Sequence, residues 1–426
     1  MISEEEKEIQ NAIHAKNMYK YVENLCKCGD RFFGSDSDWK AVKYLEEEFD
    51  GMGLGTIRDE MTLPTVLKTG PSSVEIPDTD DTFCAQPILF CPPTPEEGIT
   101  GELVYVGDGG EADFDRNDVK GKIVLSNGGH SAFLEGRAIR AKLHGAKGFI
   151  EIHTMPYSGW ASFDAYDVEG KFLDELVPSV SVSAFDGFTL IHKSSSQKVQ
   201  VTLRASTEII KKAKTCFLRG ILTGKEKPEE RIVVTAHRDT GYCAGADDDA
   251  AGTAIMMEIA RVLSRKPVKR TVEFISSTAE ETDASLGTET FLTMHEDTIS
   301  QIKAVFNCEQ PSIGGPLFLA KGAVHPDYGK VEHTEWINSL LVEIADSLGY
   351  SIKTWTPELM PWVGEEGRYY MRGIPVVMIS KYGMQNPYYH TVEDTPEVID
   401  SNSLKVAADI MGIGVWRLAN AKVINP

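Results

Sequence analysis

The stretch Ile232-Val233-Val234-Thr235-Ala236-His237-Arg238-Asp239-Thr240 decides the class of fold. It reads as an apolar strand that runs straight into a histidine and an acid. Shortly after it, Gly245-Ala246-Asp247-Asp248-Asp249-Ala250 opens a helix over 250–265, with Ala251, Ile255, Ile259 and Val262 on one face. The alternation continues outward. Strands are predicted over 271–276, 302–306 and 374–379, and helices around 288–297, 334–348 and 404–419. Strands alternating with helices imply an α/β fold, a mostly parallel mixed sheet sandwiched by helices. Reactive groups in such sheets collect where strands end in loops.

Upstream the pattern changes. Residues 4–52 read as two helices around a Cys-Gly-Asp turn, with Ser37 or Asp38 as the cap of the second. Residues 67–204 are rich in Pro and Gly, and their strands are short: 103–106, 122–125 and 149–152. A helix over 134–144 is stopped by Gly145-Ala146-Lys147-Gly148. This stretch reads as a mostly β domain, 67–204, inserted into a discontinuous domain made of 1–66 and 205–426.

Composition excludes several classes. The chain has 426 residues, long enough for two or three domains at about 150 residues each. Asp plus Glu number 64 against 43 Lys plus Arg, a formal charge of −21. That excess repels phosphate backbones and anionic membrane surfaces, so neither nucleic acid nor membrane is an expected partner. No apolar run is long enough to span a bilayer. Met1-Ile-Ser-Glu-Glu-Glu-Lys is acidic and has no apolar core of a secretory signal. Seven cysteines, an odd number, include only one close pair, Cys26 and Cys28. They read as reduced thiols, and a cytoplasmic location is expected. The sequence leaves the oligomeric state open.

Acids or histidines follow the strands at several places: His237 with Asp239, Asp247-Asp248-Asp249, Glu280-Glu281, and Asn307-Cys308-Glu309. A further histidine, His390, follows a turn in Asn386-Pro387-Tyr388-Tyr389-His390-Thr391. Each alone is an ordinary turn acid or helix-start acid. Together they are a cluster of carboxylates that would resist ionisation unless cations were present. Asp239, two residues from His237, shares its face on an extended segment and suits the role of holding the imidazole tautomer. Gly107-Asp108-Gly109-Gly110 lacks the rest of a nucleotide loop and reads as a turn. No Gly-x-Ser-x-Gly elbow exists, so a serine hydrolase is unsupported. The aromatic run over 157–172 reads as the insert's own core, with a lid over the centre as the alternative.

In this order the motifs His-x-Asp, Gly-Ala-Asp-Asp-Asp-Ala-x-Gly, Ala-Glu-Glu, a strand-end acid and His-Thr-x-x-Asp-Thr resemble the co-catalytic zinc aminopeptidases. That family includes aminopeptidase Y, glutamate carboxypeptidase II, glutaminyl cyclases and the transferrin receptor. The insert resembles a protease-associated domain, through Gly-Glu-Leu-Val-Tyr-Val-Gly, Val-Lys-Gly-Lys-Ile-Val-Leu and His-Gly-Ala-Lys-Gly-Phe-Ile.

The resemblance implies two Zn²⁺ per chain, with Co²⁺ or Mn²⁺ as substitutes. Asp248 would bridge them. His237 and Glu309 would complete one site, and Glu281 and His390 the other. Glu280 would be the general base for a metal-bridging hydroxide, and Asp239 would orient His237. A cis Asp248–Asp249 bond is implied as well.

The expected activity is that of a metallopeptidase, an aminopeptidase hydrolysing the N-terminal bond of a peptide or small amide. Rivals are a carboxypeptidase or non-peptide amidohydrolase on the same centre, and a non-catalytic binding protein. Two departures stand out: Glu309 where many relatives have Asp, and Gly364-Glu365-Glu366 where many have Ser-Asp-His. The second puts inherited substrate specificity in doubt. Arg368, just after it, is a candidate for binding a substrate carboxylate or an ordinary surface arginine.

Overall fold

A computed structural model describes residues 2–128, 136–159, 176–282, 285–313, 316–325, 329–355, 364–381 and 386–424. Its centre is an eight-stranded sheet. In spatial order the strands are Gly55–Lys68, Thr207–Leu222, Arg270–Ser277, Lys227–His237, Ile302–Glu309, Val376–Ser380, Phe318–Ala320 and Lys353–Trp355. The four strands from Arg270–Ser277 to Val376–Ser380 run parallel to one another. The flanks add three antiparallel contacts and one further parallel one.

Side-chain alternation along these strands dresses both faces. Ile232, Val234, Val272, Phe274, Ala304 and Phe306 point into one core. The helices Glu4–Ala12, Ala15–Cys26, Gly252–Leu263, Glu335–Leu348 and Ser401–Asn420 close it. Val233, Ile275 and Val305 point the other way, into a second core with Phe32, Phe33, Phe217, Phe291 and Tyr369. The insert's Val124 and Phe149 reach this second core too. No helix among the described residues is long and apolar enough to cross a membrane.

The N-terminal segment holds three helices rather than two. A break at Ile13-His14 separates Glu4–Ala12 from Ala15–Cys26. The buried carboxylate of Glu258 fixes it by accepting the freed backbone N–H of His14 at 2.7 Å. The following helix, Asp36–Gly51, is capped by Ser35, whose Oγ accepts from the N–H of Asp38 at 3.0 Å. The cap therefore lies two residues before Ser37.

Local patterning also missed the longest strand pair. Gly55–Lys68 and Thr207–Leu222 pair antiparallel over their length, with a bulge at Pro64, where no N–H is available for the ladder. This ribbon carries the chain out of the sheet and back into it. Between its two arms lies a closed seven-stranded barrel. Its strands are Ser72–Ile76, Asp81–Pro87, Ser179–Val182, Gly148–Ile152, Ile123–Asn127, Ile99–Tyr105 and Gln200–Arg204. Val74, Leu103, Ile123, Leu125, Ile150, Val180 and Leu203 fill it. The helix expected over 134–144 is described as Arg137–Leu143, its start lying outside the described residues. So does most of the aromatic run over 157–172.

Candidate metal centre

The parallel strands end side by side, and the residues singled out in the sequence meet there. His237 closes one strand and Glu309 closes its neighbour. Glu280 and Glu281 follow the strand Arg270–Ser277 on a turn in which Ala279 has φ +55°. Asp248 lies in the tight turn Ala246–Ala251 at the head of the helix Gly252–Leu263, and its peptide bond to Asp249 is cis. The turn presses against the Glu309 strand. A Cβ on Gly252 would come within 2.3 Å of the Cys308 carbonyl oxygen, so only glycine fits there.

Asp248 is the hinge of the geometry. Its Oδ1 lies 3.1 Å from His237 Nε2, and its Oδ2 lies 3.2 Å from His390 Nε2. His237 Nε2 is also 3.2 Å from Glu309 Oε1, and His390 Nε2 is 3.2 Å from Glu281 Oε2. The five residues thus fall into two halves that share one carboxylate. All five are buried. Glu280 stands at the rim with its side chain 14% exposed, against 4–5% for Asp248, Glu281 and Glu309. Its Oε1 accepts from Ser285 Oγ at 2.9 Å.

The electrostatics are those of anions crowded without cations. Burial, with Asp248 nearby, pushes Glu281 up to about 7. Burial and the neighbouring carboxylates push Glu280 well above the usual range. Asp249 and Glu309 are raised mainly by burial. Asp248 goes the other way: burial opposes it, but the imidazoles of His237 and His390 hold it below the usual carboxylate range. His390 is pushed up to about 9, burial being outweighed by Glu281 and Asp248.

A divalent cation in each half fits these residues. Donor atoms about 2.0–2.2 Å from one zinc ion, set tetrahedrally, lie about 3.3 Å apart, close to the separations above. Asp249 Oδ2, Glu281 Oε1 and Glu309 Oε2 are buried with no hydrogen-bond partner among the described residues. Imidazole with carboxylate is a donor set that zinc takes readily.

Asp239 does contact His237, but its carboxylate stands off at 3.7 Å from Nδ1. Its main-chain oxygen meets Nδ1 instead, at 3.0 Å. The carboxylate accepts the backbone N–H groups of Glu280 and Glu281, both at 3.3 Å, and so shapes their turn. Glu365 and Glu366 lie against the strands that end in His237 and Glu309. Thr235 Oγ1 donates to Glu365 at 2.9 Å, and Asn307 Nδ2 donates to Glu366 at 3.2 Å. Thr235 and Asn307 sit two residues before His237 and Glu309, on the same strand faces. Arg368 lies 3.6 Å from Glu289 Oε2, which favours the reading of an ordinary paired arginine.

Sequence reasoning missed the support around the centre. The carboxylate of Asp394 accepts the backbone N–H groups of Asp247 and Asp248, at 2.9 and 3.2 Å. Asp247 accepts from the N–H of Ser312 and from Asn386 Nδ2, at 2.8 and 3.0 Å, joining three loops. Arg31, fully buried, donates to the carbonyls of Arg238 and Gly245. Spacing in the sequence gives no signal for Arg31; for Asp394 the His-Thr-x-x-Asp-Thr motif does.

Comparison with known proteins bears on the family and the fold. The model for peptidase family M28 matches residues 218–413, and the PA domain model matches residues 99–190. Residues 218–413 thus match an M28 peptidase domain and 99–190 a PA domain insert, and together these matches support a zinc metallopeptidase. Aminopeptidase YwaD of Bacillus subtilis is 25% identical over 429 residues, covering 97% of this chain and 87% of that protein. Carboxypeptidase Q of Bos taurus is 22% identical over 413 residues, covering 93% and 84%. Two crystal structures share the fold. One is a zinc aminopeptidase from Bacillus subtilis, with TM-score 0.76, 22% identity and 97% of each chain covered. The other is a peptidase M28 precursor from Shewanella amazonensis, with TM-score 0.78, 20% identity and 99% and 97% covered.

Proposed function

We propose that this zinc metallopeptidase is an aminopeptidase that works with two metal ions. The observation that carries the reading is Asp248, whose two oxygens face two different histidines, each with its own further carboxylate. His237, Glu309 and Asp248 would hold one ion, and His390, Glu281 and Asp248 the other. Ions held there supply Lewis acidity, lowering the pKa of a nearby water and polarising the scissile carbonyl.

The remaining steps belong to side chains. Glu280, at the rim of the centre, takes the proton of the attacking water and delivers it to the leaving amine. Ser285 fixes its carboxylate, and the Asp239 carboxylate fixes its backbone. The buried acids around the site give a free N-terminal ammonium a favourable field.

A carboxypeptidase on the same centre is the second reading, favoured by the Carboxypeptidase Q relatives. The test joins two measurements. Elemental analysis of the zinc-saturated protein should find about two ions per chain. Amino-acid p-nitroanilides should be cleaved, and N-acylated peptides left intact. Cleavage of N-acylated peptides from the C-terminus, with no anilidase activity, would transfer the assignment to the second reading.

A further inference from the structure

His390 reaches the centre from a loop rather than from a strand end. Its φ is +55°, a conformation that a non-glycine residue keeps only where its surroundings enforce it. Part of that enforcement comes from the PA domain insert. Just after the barrel strand Gly148–Ile152, residues Tyr157, Ser158 and Gly159 lie along the His390 loop. Gly159 forms an isolated antiparallel bridge with Thr391. The N–H of Val392 donates to the Ser158 carbonyl at 3.1 Å. The Tyr157 ring stacks on the Tyr388 ring, centroids 5.6 Å apart and planes 14° from parallel. These contacts bracket His390 on both sides in sequence.

The fit is close at one point. A Cβ on Gly159 would stand 2.8 Å from the His390 carbonyl oxygen and 2.7 Å from the ring of His153. The ring can turn aside, but the carbonyl can move only with the backbone that carries the His390 imidazole.

We infer that the insert is a working part of the metal centre: its 157–159 segment clamps the loop that presents His390, and Gly159 is the positioning residue of that clamp. The inference rests on the reading of His390 as a metal ligand. An irregular loop opens at little cost unless other contacts hold it, and His390 has no regular element of its own. Loosening the clamp should therefore be read first in how long the centre keeps its metal.

The experiment uses the full chain loaded with zinc, measuring bound zinc per chain and the rate of zinc loss to a chromophoric chelator. Gly159→Val pushes the His390 carbonyl directly. Tyr157→Ala removes a half-exposed ring and leaves the barrel core untouched. His390→Ala is the reference. The expected result is loss of one ion in His390→Ala, with full stoichiometry at saturating zinc in the two insert variants. Zinc loss should be about 10–100-fold faster in Gly159→Val and several-fold faster in Tyr157→Ala, in the range known for changes just outside a metal's ligands. Parental rates in both insert variants, beside rapid loss in His390→Ala, overturn the clamp and leave the centre standing. Parental retention in His390→Ala overturns the ligand reading instead, and the clamp with it. Should Gly159→Val not fold by circular dichroism, Tyr157→Ala decides alone.

Discussion

Three consecutive acids do three different jobs. Asp247 ties loops together, Asp248 stands between the histidines, and Asp249 accepts the N–H groups of Gly252 and Gln310. Glu280 and Glu281 divide in the same way, one at the rim and one against His390. Glu280→Gln keeps the shape and removes the base. It should retain zinc at the parental level and lose about 10²–10⁴-fold in kcat. Near-parental turnover by the zinc-saturated variant would remove Glu280 from its role. Asp394→Asn leaves one good acceptor for two backbone N–H groups at Asp247 and Asp248. Zinc affinity should fall about 10–100-fold, read by chelator competition. Unchanged affinity would make Asp394 a local cap only.

At the scale of elements, the centre is held from below by the N-terminal helices. The helix Asp36–Gly51 sends Asp38 into the sheet, where its carboxylate meets Arg238 Nε at 2.9 Å and Thr215 Oγ1 at 2.8 Å. Both charged side chains are fully buried. Burial raises the Asp38 pKa, while Arg238 and its other partners pull it back. Breaking such a pair strands a charge in the interior. Asp38→Ala should cost about 3–5 kcal/mol in denaturant unfolding. Because Arg238 lies between His237 and Asp239, zinc retention should weaken in the same variant. A loss under 1 kcal/mol would show that the pair is not buried as described.

For the whole molecule, metal and fold are linked through charge. The metal-free centre holds Glu281 at about 7 and His390 at about 9, both raised above their usual 4.5 and 6.5. A group raised on folding stabilises below its unfolded pKa and loses that contribution as pH climbs through its folded pKa. These two groups therefore take stability away from the chelated protein between about pH 5 and pH 9. Zinc binding only the folded chain should remove the loss. Calorimetry should show the metal-free Tm falling over that range and the zinc-loaded Tm holding. Parallel pH profiles for the two forms would contradict the linkage.

The sequence by itself determined the alternation of strands and helices, the insert, and the His237, Asp248, Glu280, Glu281, Glu309 and His390 motifs. It did so because buried parallel strands are continuous apolar runs, and because strand ends put their chemistry in short, recognisable loops. It did not separate the first two helices, since the break at Ile13-His14 is satisfied by Glu258, far away in the chain. Nor did it reveal the long ribbon of Gly55–Lys68 with Thr207–Leu222, whose pairing spans the whole insert. Only the tertiary structure decided which atoms meet. It gave the Asp239 carboxylate to the glutamate turn and its main-chain oxygen to the imidazole, and it set Glu365 and Glu366 beneath the strand ends. It also laid Gly159 of the insert against the His390 loop. The physical reason is common to all of these. Local patterning records which side chains avoid water, but the partner of a buried polar group is chosen by whatever the folded chain brings within hydrogen-bonding distance.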